Sequence, residues 1–245
     1  MAGLATVLYA HDRQRIGDPA ATWGSIAHNP VQRLVREVVA MAPPTFTLDV
    51  TINQQHAITG VFAGAGYAAH AAGCAFVARA QERETPGAYD IVVTTNGGYP
   101  LDQNLYQAVK GLSAAARIVR AGGAIILAAE CRDGIPDHGQ YGALLAAAHG
   151  PADLFAALGD GAEATPDQWQ AQIQALVQQK ATVYAYCGGL SDAQLRAAHL
   201  QPVTSVAAAL RDLLAQQPGA SVAILPEGPY VVATARVAQP ALPAG

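Results

Sequence analysis

Apolar and polar positions change rhythm near Gly87, and the change separates two styles of folding. Ahead of it, Met1 to Leu8 is apolar, while His11 to Pro30 is polar, contains Trp23 and has no clear period. Val31 to Met41 has the spacing of an amphipathic helix. TFTLDVTI and HAITGVFAG flank Asn53-Gln54-Gln55 as the arms of an antiparallel hairpin would, and Tyr67 to Glu84 reads as a helix. After Gly87, β-branched runs alternate with helical periods. Strands are expected at 89–95, 123–130, 181–186, 199–203 and 220–225, and helices at 101–120, 139–148, 151–158, 166–179, 191–197 and 204–216. A last strand, YVVATA, and the tail AQPALPAG follow Pro226 to Pro229.

This alternation with short connections predicts an α/β fold, a doubly wound and largely parallel sheet with helices on both faces, preceded by a hairpin and helix. Ligands of such sheets bind beyond the carboxyl ends of the strands. Residues 96–107 and 130–136 would both lie there.

The segment from Thr94 to Gly111, TTNGGYPLDQNLYQAVKG, therefore carries the chemistry. Pro100 suits a first helical turn, and Asp102 suits the positive end of a helix dipole. Leu105, Val109, Leu112, Ala116 and Val119 would form the core face. The opposite face presents Tyr106, Gln107 and Lys110, which are close enough on a helix to converge on one small ligand. Gly97 and Gly98 would let backbone approach it, and free amides at the helix start would favour an anion. A carboxylate fits this set, with Lys110 as counter-charge and Gln107 as donor. A solvated helix face with an ordinary surface lysine is the plainer alternative.

Composition narrows the field. Hydrophobic residues make up 51% of the 245 and charged ones 13%, with a net charge of -4. Basic residues are few and scattered, so no nucleic-acid partner is indicated. No apolar run is long enough to span a bilayer and no signal peptide is visible, so no membrane is expected and a cytoplasmic location is the default. Cys74, Cys131 and Cys187 are odd in number and far apart in sequence, which points to free thiols. Seven histidines show no tight ligand spacing. Gly64-Ala65-Gly66-Tyr67-Ala68-Ala69 has the look of a dinucleotide-binding turn, and a nicotinamide dehydrogenase would rest on it. It follows a hairpin strand, though, where a Rossmann turn should follow the first parallel strand. Trp169, in TPDQWQAQI, is either a packing anchor or a rim residue offering its indole N–H. Glu130 to Gly134 is either a site edge or a strand-end turn with an internal ion pair.

TNGGYPLDQNLYQAVKG, the later GGAIILAAECRDG and PDQWQAQI together resemble the nickel-dependent lactate racemase family, whose cofactor is a nickel-pincer nucleotide. The resemblance extends through AHDRQRIGDPAATWGSIAHNPV and VFAGAGYAAHAAGCAFV. It implies that Tyr106, Gln107 and Lys110 lie on the substrate-contacting helix, with Gln107 and Lys110 holding a 2-hydroxy acid by its carboxylate. It implies that Trp169 lines the same site and that His11 coordinates nickel. The implied reaction is a transient removal and return of the α-hydrogen by the cofactor, leaving orientation and electrostatics to the protein. Ala10 stands where the family commonly has asparagine, and Gln32 where it commonly has histidine.

The resemblance further implies that residues 80–228 form the C-terminal α/β domain. Residues 1–79 would then be the remnant of a cofactor-binding domain, with 229–245 returning to it. The cofactor-attaching lysine, two proton-transferring histidines and a substrate arginine would fall ahead of this chain, so that it needs a separate N-terminal half. A non-catalytic module that binds a small carboxylate or docks a partner remains the other reading.

Overall fold

The structure, a computed structural model, describes residues 3–53 and 55–236. Gln54 of the hairpin turn and the tail AQPALPAG lie outside the described residues. Two compact units emerge, one formed by residues 1–17 together with 83–245 and the other by residues 18–82.

The larger unit opens with two short helices, α1 (Leu4–Ala10) and α2 (Arg13–Gly17). The smaller unit holds α3 (Pro30–Met41), β1 (Thr47–Ile52), β2 (Ile58–Gly64) and α4 (Gly66–Gln81). Asn29 caps α3 by accepting from the amides of Val31 and Gln32, with Pro30 at the first helical position. β1 and β2 pair antiparallel as a two-stranded sheet, so the Gly64–Gly66 turn leaves a hairpin strand. That is the wrong setting for a dinucleotide turn. The helix expected to reach Glu84 stops at Gln81, and residues 82–85 instead extend as β3 (Glu82–Thr85).

A five-stranded sheet dominates the larger unit. It comprises β4 (Tyr89–Thr95), β5 (Val119–Ala129), β6 (Ala181–Cys187), β7 (Gln201–Pro202) and β8 (Val222–Leu225) in the order β7-β6-β5-β4-β8, with every pairing parallel. The connecting helices are α5 (Leu105–Ala116), α6 (Tyr141–Ala147), α7 (Pro151–Ala157), α8 (Gln168–Lys180), α9 (Asp192–Ala197) and α10 (Val206–Gln216). Alternation along β4 sends Val92 into a core with Leu105, Val109 and Leu112 of α5, and Ile91 and Val93 into a second core with Ala209 of α10. The expected doubly wound α/β fold is therefore present, with most helices on one face and α10 on the other. Strand order reverses between β4 and β8, which puts a topological switch point beside the end of β4. The final strand, β9 (Val232–Ala235), pairs with β3, and the Arg236–Glu84 ion pair at 2.7 Å extends that contact.

Candidate functional site

The end of β4 and the start of α5 differ from the expectation in register. Residues 100–104 form a turn rather than a first helical turn, with a cis Tyr99–Pro100 bond, and the helix begins at Leu105. Asn104 is the cap, its side-chain oxygen accepting from the Gln107 amide at 3.0 Å, while the Leu105 amide donates to the Gly134 carbonyl at 3.0 Å. Those helix-start amides are thus already satisfied, so the expected open anion cradle is closed by Asn104 and Gly134. Asp102 does not serve the dipole. It is 5% exposed and accepts from the Glu130 amide at 2.9 Å, while its own carbonyl accepts from the Cys131 amide at 3.0 Å. It pins the loop after β5 to the loop after β4. At the far end, Val119 belongs to β5 rather than to the helix, because β-branched Ile118 and Val119 favour an extended chain.

α5 still presents the expected face. Lys110 is exposed and donates from Nζ to Gln107 Oε1 at 2.6 Å. This bond uses the amide oxygen of Gln107 and one Lys110 hydrogen, and leaves the Gln107 NH₂ and two ammonium hydrogens as further donors. That donor set suits a carboxylate.

Tyr106 sits one turn away within a polar and aromatic cluster. Its hydroxyl accepts from Trp169 Nε1 at 3.0 Å, its ring meets Tyr141 edge-on with centroids 5.5 Å apart, and its carbonyl accepts from Gln170 Nε2 at 2.6 Å. Burial pushes the Tyr106 hydroxyl up from its ordinary pKa; the Trp169 bond opposes this, and nearby Asp167 adds to it. The hydroxyl therefore stays protonated at neutral pH. The ring of His11 packs on Trp169 with centroids 5.0 Å apart. His11, Trp169 and Tyr106 thus form one contiguous run, and Gln107 and Lys110 form a pair on the same helix as Tyr106.

His11 sits at the C-terminal cap of α1, with Nδ1 2.9 Å from the Val7 carbonyl. A carbonyl can only accept, so Nδ1 is the donor in this contact, and Nε2 is the nitrogen left for any metal. The segment carrying it is held by Arg13, which pairs with Asp160 at 2.8 Å, and by Gln172, which donates to the Arg13 carbonyl at 2.8 Å. Among the described residues no group of three or more His, Cys, Asp or Glu converges on a metal-sized site.

Several residues here went unnoticed in the sequence. Asn104, three residues ahead of Gln107, carries a readable capping signal; Gln170 carries none. Cys131 and Cys187, distant in sequence, meet at the ends of neighbouring β5 and β6, where their thiols share a hydrogen bond. That bond, then burial, pushes Cys131 up, while Cys187 is held down by the same bond. Both are free thiols, as expected. At the loop after β5, Arg132 lies 3.6 Å from Asp133 and stacks over the Tyr99 ring at 3.9 Å, so this turn has its internal ion pair and a packing role besides.

The sheet order and its connecting helices define a doubly wound α/β domain with a topological switch point beside the end of β4. The model of the Lactate racemase C-terminal domain matches residues 85–233, so the chain belongs to the lactate racemase family. It is 40% identical over 179 residues to a lactate racemase of Thermoanaerobacterium thermosaccharolyticum and 38% identical over 180 residues to one of Lactiplantibacillus plantarum. Each match takes in 72% of this chain and 42% of the relative. The structure of the lactate racemase apoprotein from Thermoanaerobacterium thermosaccharolyticum superposes with a TM-score of 0.90 at 31% identity, covering 95% of this chain and 56% of that one. The chain therefore spans about half the length of these relatives.

Proposed function

We propose that this chain is the substrate-holding, C-terminal part of a lactate racemase-type isomerase acting on a 2-hydroxy acid. The observation that carries the reading is the Lys110–Gln107 pair at 2.6 Å on the exposed face of α5. A carboxylate docked there would receive charge-assisted hydrogen bonds from Lys110 and an amide donor from Gln107. Tyr106 and Trp169, locked together at 3.0 Å, would form the wall beside it. Fixing the carboxylate fixes which substituents of the α-carbon can turn toward a cofactor.

His11 fits a nickel-pincer nucleotide as a single imidazole ligand through Nε2. When bound, such a group would supply the removal and return of the α-hydrogen. This chain would contribute the carboxylate anchor, the wall and one ligand, and would be inactive alone. The lysine that attaches the cofactor and the proton-transferring histidines would come from an N-terminal half. No helix among the described residues is long and apolar enough to cross a membrane.

Titration calorimetry with D- and L-lactate on the chain and on Lys110→Ala tests the substrate role. The expected result is heat from the chain and at least a tenfold loss of affinity in the variant. Adding a cofactor-loaded N-terminal half and assaying D/L-lactate interconversion tests the complete reading; no gain over that half alone would refute it. Lactate binding lost in Lys110→Ala, with no racemisation under any addition, would favour the carboxylate-binding module.

A further inference from the structure

Residues 18–82 fold without a core of their own. Among their described members only Ala69 and Gly73 are buried, both small, and none belongs to either hydrophobic cluster of the protein. The hairpin is also faced the wrong way for a free-standing unit. Its polar positions Thr47, Asp49 and Thr51 are half-covered, whereas Leu48, Val50, Ile52, Ile58 and Val61 are between 49% and 63% exposed. The strand register sets Val50 opposite Val61 and Ile52 opposite Ile58, which makes these residues one continuous apolar patch. Nearby in sequence, α3 leaves Val35, Val38 and Val39 exposed at 39–47% along the stripe its amphipathic spacing would bury. The sheet has two strands only, a size that is marginal in water without further strands or a covering layer.

We propose that the outer face of the β1–β2 hairpin is a docking surface for the polypeptide that lactate racemases carry ahead of this region. Two facts select this occupant. The apoprotein match covers 95% of this chain and so includes most of residues 18–82, yet it uses only 56% of the relative. The domain matched here is the family's C-terminal one, which places the remainder upstream. A patch of apolar strand residues with open sheet edges takes a partner that adds strands to the hairpin and lays an apolar layer over it. The identity of the partner rests on the family reading above; the surface itself does not depend on the substrate role of Lys110.

The test co-expresses the full chain with the part of the Thermoanaerobacterium thermosaccharolyticum lactate racemase that lies ahead of the match, and reads complex mass by light scattering and amide exchange. A one-to-one complex is expected, with new protection at residues 47–52 and 58–64. Val50→Lys/Val61→Glu should weaken the complex at least tenfold while leaving the thermal midpoint of the chain unchanged, since both side chains are already exposed and the register sets the two new charges opposite one another as an attractive cross-strand pair. Three results would overturn the proposal: no complex, a complex unaffected by the double variant, or protection confined to other segments. Equally fatal would be a dimer of the chain alone that the double variant splits, because a second copy would then be the occupant. Lys110→Ala should leave the complex intact. Loss of lactate binding with the complex retained would count against the functional reading and not against this surface.

Discussion

Replacing Gly111 by alanine sets two effects of known size against each other. Gly111 is buried in the middle of α5, and helix propensity alone favours alanine there by about 1 kcal/mol. An added Cβ, however, would lie 2.5 Å from the Thr95 carbonyl oxygen, 3.1 Å from its carbon and 3.4 Å from the Asn96 nitrogen. The obstacle is backbone at the end of β4, which cannot swing aside. It is tied by Thr95 Oγ1 donating to the Pro226 carbonyl and by Thr94 Oγ1 lying 3.3 Å from the Gly111 carbonyl. Overpacking against such a wall costs about 1–3 kcal/mol, and the upper part of that range applies to a rigid neighbour. The clash therefore outweighs the propensity gain, giving a net loss of about 1–2 kcal/mol and a thermal midpoint about 2–8 °C lower. Gly73→Ala is the control. It too is mid-helix, but its Cβ would meet only the Phe62 ring at 3.2 Å, and a ring can retreat by a few tenths of an ångström. There the propensity gain should win, and the variant should be neutral or more stable by up to about 1 kcal/mol. Urea unfolding, with amide exchange read separately in the two units, measures both. Gly111→Ala as stable as the parent would refute the reasoning, because α5 would then be free to ride up from the strand end and Lys110 would not be held in place.

Tyr141→Phe should destabilise by about 1–3 kcal/mol, because Tyr141 is fully buried and its hydroxyl donates to Gln174 Oε1 at 2.5 Å, which the variant leaves unpaired; an unchanged urea midpoint would contradict this. Asp90 links the starts of β4 and β8, and the Arg120 guanidinium, followed by the Ser221 hydroxyl and amide, holds its carboxyl well below the unfolded value of 3.8. Its stabilisation is therefore complete above that value and is lost as pH falls toward the folded one, so the advantage of the parent over Asp90→Asn should be present at about pH 6 and narrow below about pH 4. A difference in thermal midpoint that stays constant down to about pH 2 would exclude this linkage. Tyr106→Phe removes the acceptor for Trp169 Nε1; the half-buried indole can rehydrate, so stability should fall by less than about 1 kcal/mol, while Trp169 emission shifts and lactate affinity drops. Unchanged emission would show that the Tyr106–Trp169 bond is absent in solution.

How far the chain can be read from its letters depends on what each residue answers to. β4 and β6 were legible almost to the residue, because apolar β-branched runs bounded by glycine or a polar turn leave few alternatives. The ends of α5 were not. Pro100 and Asp102 carry local helix-start signals, but Asp102 answers to the Glu130 amide across the sheet, and that partner is visible only once β4 and β5 are side by side. The Cys131–Cys187 contact is hidden for the same reason: it depends on strand adjacency rather than on spacing. Of the candidate site, the helix face with Gln107 and Lys110 followed from periodicity, whereas the neighbourhood of His11 followed from nothing local. Its packing on Trp169 depends on a fold in which the first residues of the chain return to α8.

α8 explains how that return is held. Gln168, Gln170, Gln172 and Gln174 are all at most 5% exposed, an alternation that matches no helical face and looks unsuited to a core. Each instead satisfies backbone or hydroxyl groups on a different neighbour: Gln168 the Gly159–Thr165 turn, Gln170 the Tyr106 carbonyl, Gln172 the Arg13 carbonyl, and Gln174 both Tyr141 and the Ala198 carbonyl. A primary amide carries a separate donor group and acceptor atom at the end of a long neutral side chain, which suits a helix surrounded by loops where a helix facing a sheet needs leucine. The consequence is mechanical. The same helix clamps α5 through Tyr106 and the start of the chain through Arg13, so His11 and Lys110 belong to one unit. α8 thereby sets the relative placement of the candidate residues, through Trp169 and Gln170 on Tyr106 and through Gln172 on the Arg13 carbonyl.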